Sequence, residues 1–159
     1  MDIAAYQQAL VRVAFKITYD WENAKDVVQD AYMSILKKPD AFTGQSSFKT
    51  YLYRIVINKS LDMKRSQSRL FDLRASFAKE TTNAPDHDTV PLTNESEITA
   101  ALDKIPDKYR IPLLLLHGDG MSYQEIADVL NISLNVVRTR IFRCREKLRK
   151  ELTKTGYRL

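Results

Sequence analysis

Ser122-Tyr123-Gln124-Glu125-Ile126-Ala127-Asp128-Val129-Leu130, then Asn131-Ile132, then Ser133-Leu134-Asn135-Val136-Val137-Arg138-Thr139-Arg140-Ile141-Phe142-Arg143-Cys144-Arg145 is the stretch whose reading decides the fold. Ser122 and Glu125 have the spacing of a capping box, in which the hydroxyl and the carboxylate each satisfy a free amide at a helix start. Ile126, Ala127 and Leu130 give that helix its apolar face, Asn131 suits a left-handed turn position, and Ser133 is placed to cap a second, long helix. The spacing predicts a helix, a three-residue turn and another helix.

On the long helix, Val137, Ile141, Cys144 and Leu148 recur at intervals of four, three and four, and should pack on the preceding helix. The other side carries Asn135, Arg138, Thr139, Phe142 and Arg143. Arginine presents a planar fork to guanine or phosphate, threonine bonds either, and an aromatic ring packs on the thymine methyl. Those are the groups a major-groove reader needs in the N-terminal half of its helix. A solvated basic face fits the same residues, and Cys144 reads as core packing rather than a redox site.

Working back from that motif, Ile98, Ala101, Leu102 and Ile105 mark one short helix, and Pro106-Asp107 starts another that reaches Leu116 through Pro112 and ends at His117-Gly118-Asp119-Gly120. Further upstream, Ile3, Tyr6, Leu10, Val13, Ala14 and Ile17 predict a first helix. Ala24, Val27, Val28, Ala31, Tyr32, Ile35 and Leu36 predict one face of a second. Phe48, Tyr51, Leu52, Ile55 and Val56 predict a third, running to about Arg65. Pro39 and Gly44 punctuate the connection before it. Between about Ser66 and Asn94 the pattern dissolves into polar residues with Pro85 and Pro91, where only Leu70, Phe71, Leu73 and Phe77 hint at a short helical continuation. That composition buries too little apolar surface to offset the entropy of ordering it. The expected fold is therefore all-α: two small helical domains, an N-terminal bundle (residues 1–66) and a C-terminal four-helix domain with a helix-turn-helix (97–159), joined by a flexible acidic linker (67–96).

Charge is segregated along the 159 residues: of a net +5, residues 138–158 alone hold nine Lys or Arg against Glu146 and Glu151, a local +7. From Glu80 to Glu97 there are five carboxylates and no Lys or Arg. Such segregation suits different partners at different places, a polyanion at the C-terminal end among them. One cysteine excludes an internal disulfide and suits a reducing compartment, while two histidines and one thiol make no spaced metal set. The aliphatic run Leu113–Leu116 is far short of the ~20 residues a bilayer span needs. With no basic and apolar leader after Met1, a cytoplasmic location without membrane insertion is expected. No nucleophile–base pair, carboxylate dyad or phosphate-cradling glycine loop is present, so neither a catalytic site nor a cofactor is expected.

Two blocks carry a resemblance. Ala24-Lys25-Asp26-Val27-Val28-Gln29-Asp30-Ala31-Tyr32 followed by Phe42-Thr43-Gly44-Gln45-Ser46-Ser47-Phe48-Lys49-Thr50-Tyr51-Leu52-Tyr53-Arg54-Ile55 resembles the second conserved region of the extracytoplasmic-function (ECF) sigma factors of the sigma-70 family. Tyr123-Gln124-Glu125-Ile126-Ala127 with Val137 to Arg145 resembles their fourth. The two blocks stand in the family's order and at its separation.

The resemblance implies a transcription initiation factor that binds core RNA polymerase, recognises the minus-thirty-five and minus-ten promoter elements and promotes DNA opening. Asp26, Gln29 and Asp30 would dock on the clamp helices of the largest polymerase subunit, with the flap as a further contact; an ordinary solvated acidic face is the plain alternative. Gln45, Ser46 and Ser47 would cup an extruded minus-ten base. Arg54, Asn58, Lys59, Lys64 and Arg65 would hold the adjoining backbone. Opening a duplex needs aromatic surfaces for unstacked bases and cations for separated strands; Phe48 and Tyr53 join the minus-ten set on that ground, although the spacing of Phe48 and Tyr51 also fits a core. Tyr51 stands where the family commonly has tryptophan. Ser133, Asn135, Arg138, Thr139, Phe142 and Arg143 would read the minus-thirty-five element, with Asn135 and Val136 where many relatives have glycine and threonine. An anti-sigma partner is implied, and no homo-oligomer. Two rival readings use the same residues: a stand-alone helix-turn-helix repressor, which would dimerise on a palindrome without polymerase, and a helical RNA-binding or scaffold protein with a nonspecific basic tail.

Overall fold

In a computed structural model of the chain, residues 4–77 and 94–156 are described, and all of their regular structure is helical. The α-helices are α1 (Gln7–Thr18), α2 (Trp21–Lys37), α3 (Phe48–Phe77), α4 (Asn94–Asp103), α5 (Asp107–Gly118), α6 (Tyr123–Leu130) and α7 (Leu134–Lys154). They divide into two compact units, one built on α1–α3 and one on α4, α5, α7 and the start of α6. The all-α fold with two helical units expected from the sequence is the fold observed.

In the first unit a two-residue turn folds α2 back on α1. Tyr19 takes the left-handed conformation (φ 59°) and donates its N–H to the Phe15 carbonyl at 2.7 Å, while the Asp20 carboxylate caps α2 by accepting from Asn23 N–H at 2.7 Å. The short turn makes the helices close neighbours, and α3 packs on both. Leu10, Val13 and Ile17 of α1, Val27, Val28 and Ala31 of α2, and Leu52, Val56 and Ile57 of α3 close the core. Ser60, fully buried, is satisfied by donating to the Val56 carbonyl at 2.8 Å.

Two expectations are corrected here. Leu36 does not share the apolar face of α2: it is 67 % exposed, because at ~100° per residue it lies about 100° round the helix from Ile35. The third helix does not give out near Arg65 but runs to Phe77. Leu70, Phe71 and Leu73 are exposed along that extension, so it continues without a core beneath it. Of the stretch 67–96 expected to be linker, 67–77 is helical and 94–96 begin α4, while 78–93 lie outside the described residues.

The second unit is capped as its sequence predicts. Ser122 N–H donates to Glu125 Oε2 at 2.8 Å and Glu125 N–H to Ser122 Oγ at 3.2 Å, which closes the capping box of α6. Asn131 takes φ 52° in the turn, and Ser133 Oγ accepts from Val136 N–H at 3.3 Å to start α7. Replacing Ser122 with alanine leaves one amide at the start of α6 without its partner and should cost about 1 kcal/mol, read as a lowered midpoint in thermal unfolding of the full chain. Val137, Ile141 and Cys144 are buried as expected, but α7 lies mainly on α5 and α4 rather than on α6. A helix-turn-helix generally sets its two helices at a steep angle, and here the apolar side of α7 meets the earlier helices instead.

Arg110 is the feature of this core that the sequence did not announce. Its side chain is 2 % exposed and pairs with Asp107 Oδ1 at 2.5 Å and Asp103 Oδ1 at 3.4 Å. Burial lowers the guanidinium's pKa from its ordinary value and pushes the neighbouring Cys144 thiol up to about 11. Cys144 is thus a protonated core side chain at neutral pH, not a nucleophile.

Candidate nucleic-acid interface

The C-terminal reading face is set by the phase of α7. With Val137, Ile141, Cys144 and Leu152 turned inward, Asn135, Arg138, Thr139, Phe142 and Arg143 all come out exposed, and Ser133 is spent on the cap. Phe142 stands 61 % exposed among cations. Burying such a ring against a partner would be worth roughly 1.5–3 kcal/mol. Thr139 donates its hydroxyl to the Asn135 carbonyl at 2.9 Å, leaving its methyl group outward. Arg138 and Arg143 do not act as a pair: five residues apart, they lie roughly 140° apart round the helix, with Thr139 between them. Arg138 shares its flank with Phe142, whereas Arg143 shares the other with Arg140 and approaches Tyr109 at the start of α5.

In the first unit the loop before α3 is held by an aromatic cluster. Phe42 packs edge-on against Phe48 at 5.5 Å and against Tyr51 at 5.2 Å, and Gly44 takes φ 72°, a conformation that favours glycine. Ser47 caps α3: its Oγ accepts from Thr50 N–H at 3.1 Å and bonds Thr50 Oγ1 at 2.8 Å. Its hydroxyl is therefore engaged in structure, with Gln45 exposed and Ser46 half-buried beside it. Along α3, Arg54, Asn58 and Arg65 fall within one narrow sector that faces away from Leu52 and Val56. Lys59 is on the flank. Lys64 is on the other flank, about 100° round the helix from Arg65, with its Nζ 5.6 Å from the centre of the Tyr19 ring. Tyr53 is corrected: it is 2 % exposed, in phase with Ile57 and Ser60, and its ring belongs to the core rather than to a base-stacking surface.

Asp26, Gln29 and Asp30 are exposed on the outer face of α2, within a sector of about 100°. Met33 lies in the same sector one turn on and is 47 % exposed, with Leu36 at its edge. The sequence reading took the polar residues and missed these two; the signal was available, since both fall out of phase with Ala24, Val28, Ala31 and Ile35.

Among the described residues no cluster of three or more His, Cys, Asp or Glu is arranged to hold a metal ion, and no helix is long and apolar enough to cross a membrane.

Comparison with known proteins agrees with this arrangement. The family description "Sigma-70 region 2" matches residues 3–70 and "Sigma-70, region 4" residues 95–148. The ECF RNA polymerase sigma factor SigW of Bacillus subtilis is 30 % identical over 158 residues, which covers 92 % of this chain and 84 % of that protein. The ECF RNA polymerase sigma-E factor of Escherichia coli is 32 % identical over 135 residues, 77 % of this chain and 70 % of that protein. Among solved structures, the sigma factor RpoE of Bartonella quintana, in complex with the anti-sigma factor NepR, superposes with a TM-score of 0.72 at 22 % identity, over 96 % of this chain and 94 % of that one. CnrH, in complex with the cytosolic domain of CnrY, gives 0.68 at 27 % identity, over 96 % and 85 %. The chain belongs to the extracytoplasmic-function sigma factors of the sigma-70 family, the transcription initiation factors of RNA polymerase.

Proposed function

We propose that the two helical units divide the work of promoter recognition, with the observation that carries this being an exposed Phe142 on a helix whose other side is fixed in the core. The C-terminal unit (97–159) reads the minus-thirty-five element through Asn135, Arg138, Thr139 and Phe142, with Ser133 holding the helix start. The N-terminal unit (1–66) takes the minus-ten element. Gln45 and Ser46 meet an extruded base beside the Phe42–Phe48–Tyr51 cluster, and Arg54 and Arg65 neutralise the adjoining backbone while Asn58 hydrogen-bonds to it. Asp26, Gln29 and Asp30, helped by Met33, dock on the clamp helices of the largest polymerase subunit, and the C-terminal unit contacts the flap. The acidic stretch within 67–96 tethers the two.

The protein performs no chemistry of its own in this reading: binding energy drives opening, and the polymerase makes the bonds. It works in the cytoplasm as a monomer. An anti-sigma partner covers the same surfaces, a reading supported by the solved relatives, one bound to an anti-sigma factor and one to the cytosolic domain of CnrY.

The test is Phe142→Ala. The ring is exposed, so its loss should leave folding intact, while discrimination at one base pair of the minus-thirty-five element drops by roughly 1–3 kcal/mol in binding selections with polymerase. Unchanged sequence preference would instead favour the nonspecific basic-tail reading.

A further inference from the structure

The start of α5 and one flank of α7 enclose an open cleft of about 320 Å³. Lys108 and Tyr109 line it from α5, and Thr139, Arg140 and Arg143 from α7, with no acidic residue among the lining groups. Tyr109 is the hub. Arg143 and Lys108 line the cleft with it and hold the phenol's pKa below the ordinary tyrosine value. Lys108 Nζ lies 4.9 Å and Lys147 Nζ 5.8 Å from the centre of its ring. The nearest carboxylate in sequence, Asp107, is committed to Arg110. Lys108, Lys147 and Arg143 thus gather at one aromatic ring, with Arg140 also lining the cleft and no acidic residue in the lining, an arrangement that favours an anion.

We propose that this cleft seats a backbone phosphate of promoter DNA beside the minus-thirty-five element, with Lys108 and Arg140 as its cations and Tyr109 as the positioning residue that turns Arg143 away from the base edges and onto the phosphodiester. The proposal rests on the reading of α7 as the minus-thirty-five helix and divides its flanks. The Arg138–Phe142 flank specifies sequence; the Arg143–Arg140 flank grips backbone and sets register. Arginine suits the second role as well as the first, since its fork takes a phosphate in two hydrogen bonds. A residue from α5 adds a second point of attachment, which fixes the angle at which α7 enters the groove.

Full-length Lys108→Ala, Tyr109→Phe, Arg143→Ala and Arg138→Ala, each with core RNA polymerase, would be titrated against a set of promoter fragments differing at single minus-thirty-five positions, at several salt concentrations. Lys108 is exposed, so its variant should fold as the parent does. For Lys108→Ala the expected result is the same fold-loss of affinity on every fragment and a salt slope lowered by about 0.9, the release of one phosphate's counterions. Arg143→Ala should behave likewise, and Tyr109→Phe should weaken all fragments equally. An unchanged salt slope in Lys108→Ala, or relaxed preference at a single base pair in Arg143→Ala, overturns the proposal. The wild-type protein and Arg138→Ala separate this from the parent reading: if wild type shows no preference among fragments, or Arg138→Ala relaxes none, the minus-thirty-five assignment itself fails.

Discussion

Replacing Asp30 with lysine is expected to leave the first unit folded and to abolish retention of the protein on core RNA polymerase. Asp30 is exposed on α2, turned away from the buried Val28, Ala31 and Ile35 stripe, so no core packing is lost. In the proposed docked state the same carboxylate is covered by a partner whose potential must be complementary. Reversing a charge there removes an attraction and adds a repulsion, and truncating one partner of a covered charge pair already costs roughly 2–5 kcal/mol. That is more than an order of magnitude in affinity. Size-exclusion co-elution with the core enzyme measures it, with circular dichroism to verify helix content. Arg138→Ala is the matched control for separate surfaces, since it should co-elute normally while failing to select promoters. Met33→Ala should weaken docking less than Asp30→Lys, because it removes contact area without adding repulsion.

The largest stability effect is expected in the second unit, from Asp107→Ala. Arg110 is buried, and of its two carboxylate partners Asp107 is the closer and the less exposed. Removing one member of a buried pair typically costs about 3–5 kcal/mol because the other charge is left without compensation. Asp103 remains at 3.4 Å and lessens the loss, so about 2–4 kcal/mol is expected here. Asp107 also stands in the first turn of α5, where a negative charge favours the helix. Amide hydrogen exchange should show α5 and α7 losing protection together while α1 to α3 keep theirs. Because Arg110 neighbours Cys144 on the buried side of α7, the same change should loosen α7.

Much of this molecule was legible because its helices obey simple periods. The capping box at Ser122 and Glu125, the left-handed Asn131 and the Ser133 cap are local, and local rules place them. The outward row of α7 follows from the same phase that buries Val137, Ile141 and Cys144. What escaped the sequence needed knowledge of neighbours. Arg110 follows Asp107-Lys108-Tyr109 at the head of an aliphatic run, and the packing of α7 on α5 makes it a buried residue rather than one more surface charge. Tyr53 resembles a base-stacking ring until its phase is compared with Ile57 and Ser60, which places it in the core. The extension of α3 to Phe77 is only hinted at by Leu70, Phe71, Leu73 and Phe77, and the first three are exposed, so no core-facing stripe gives its length. Tyr109 drew no notice because its role depends on meeting Arg143 across two helices.

The most direct test is to combine the purified protein with core RNA polymerase and genomic DNA fragments and to map the starts of the run-off transcripts. Defined starts, absent with core enzyme alone and each preceded by the same two sequence elements at constant separation, are the predicted result. Transcripts no different from those of core enzyme alone would contradict the account.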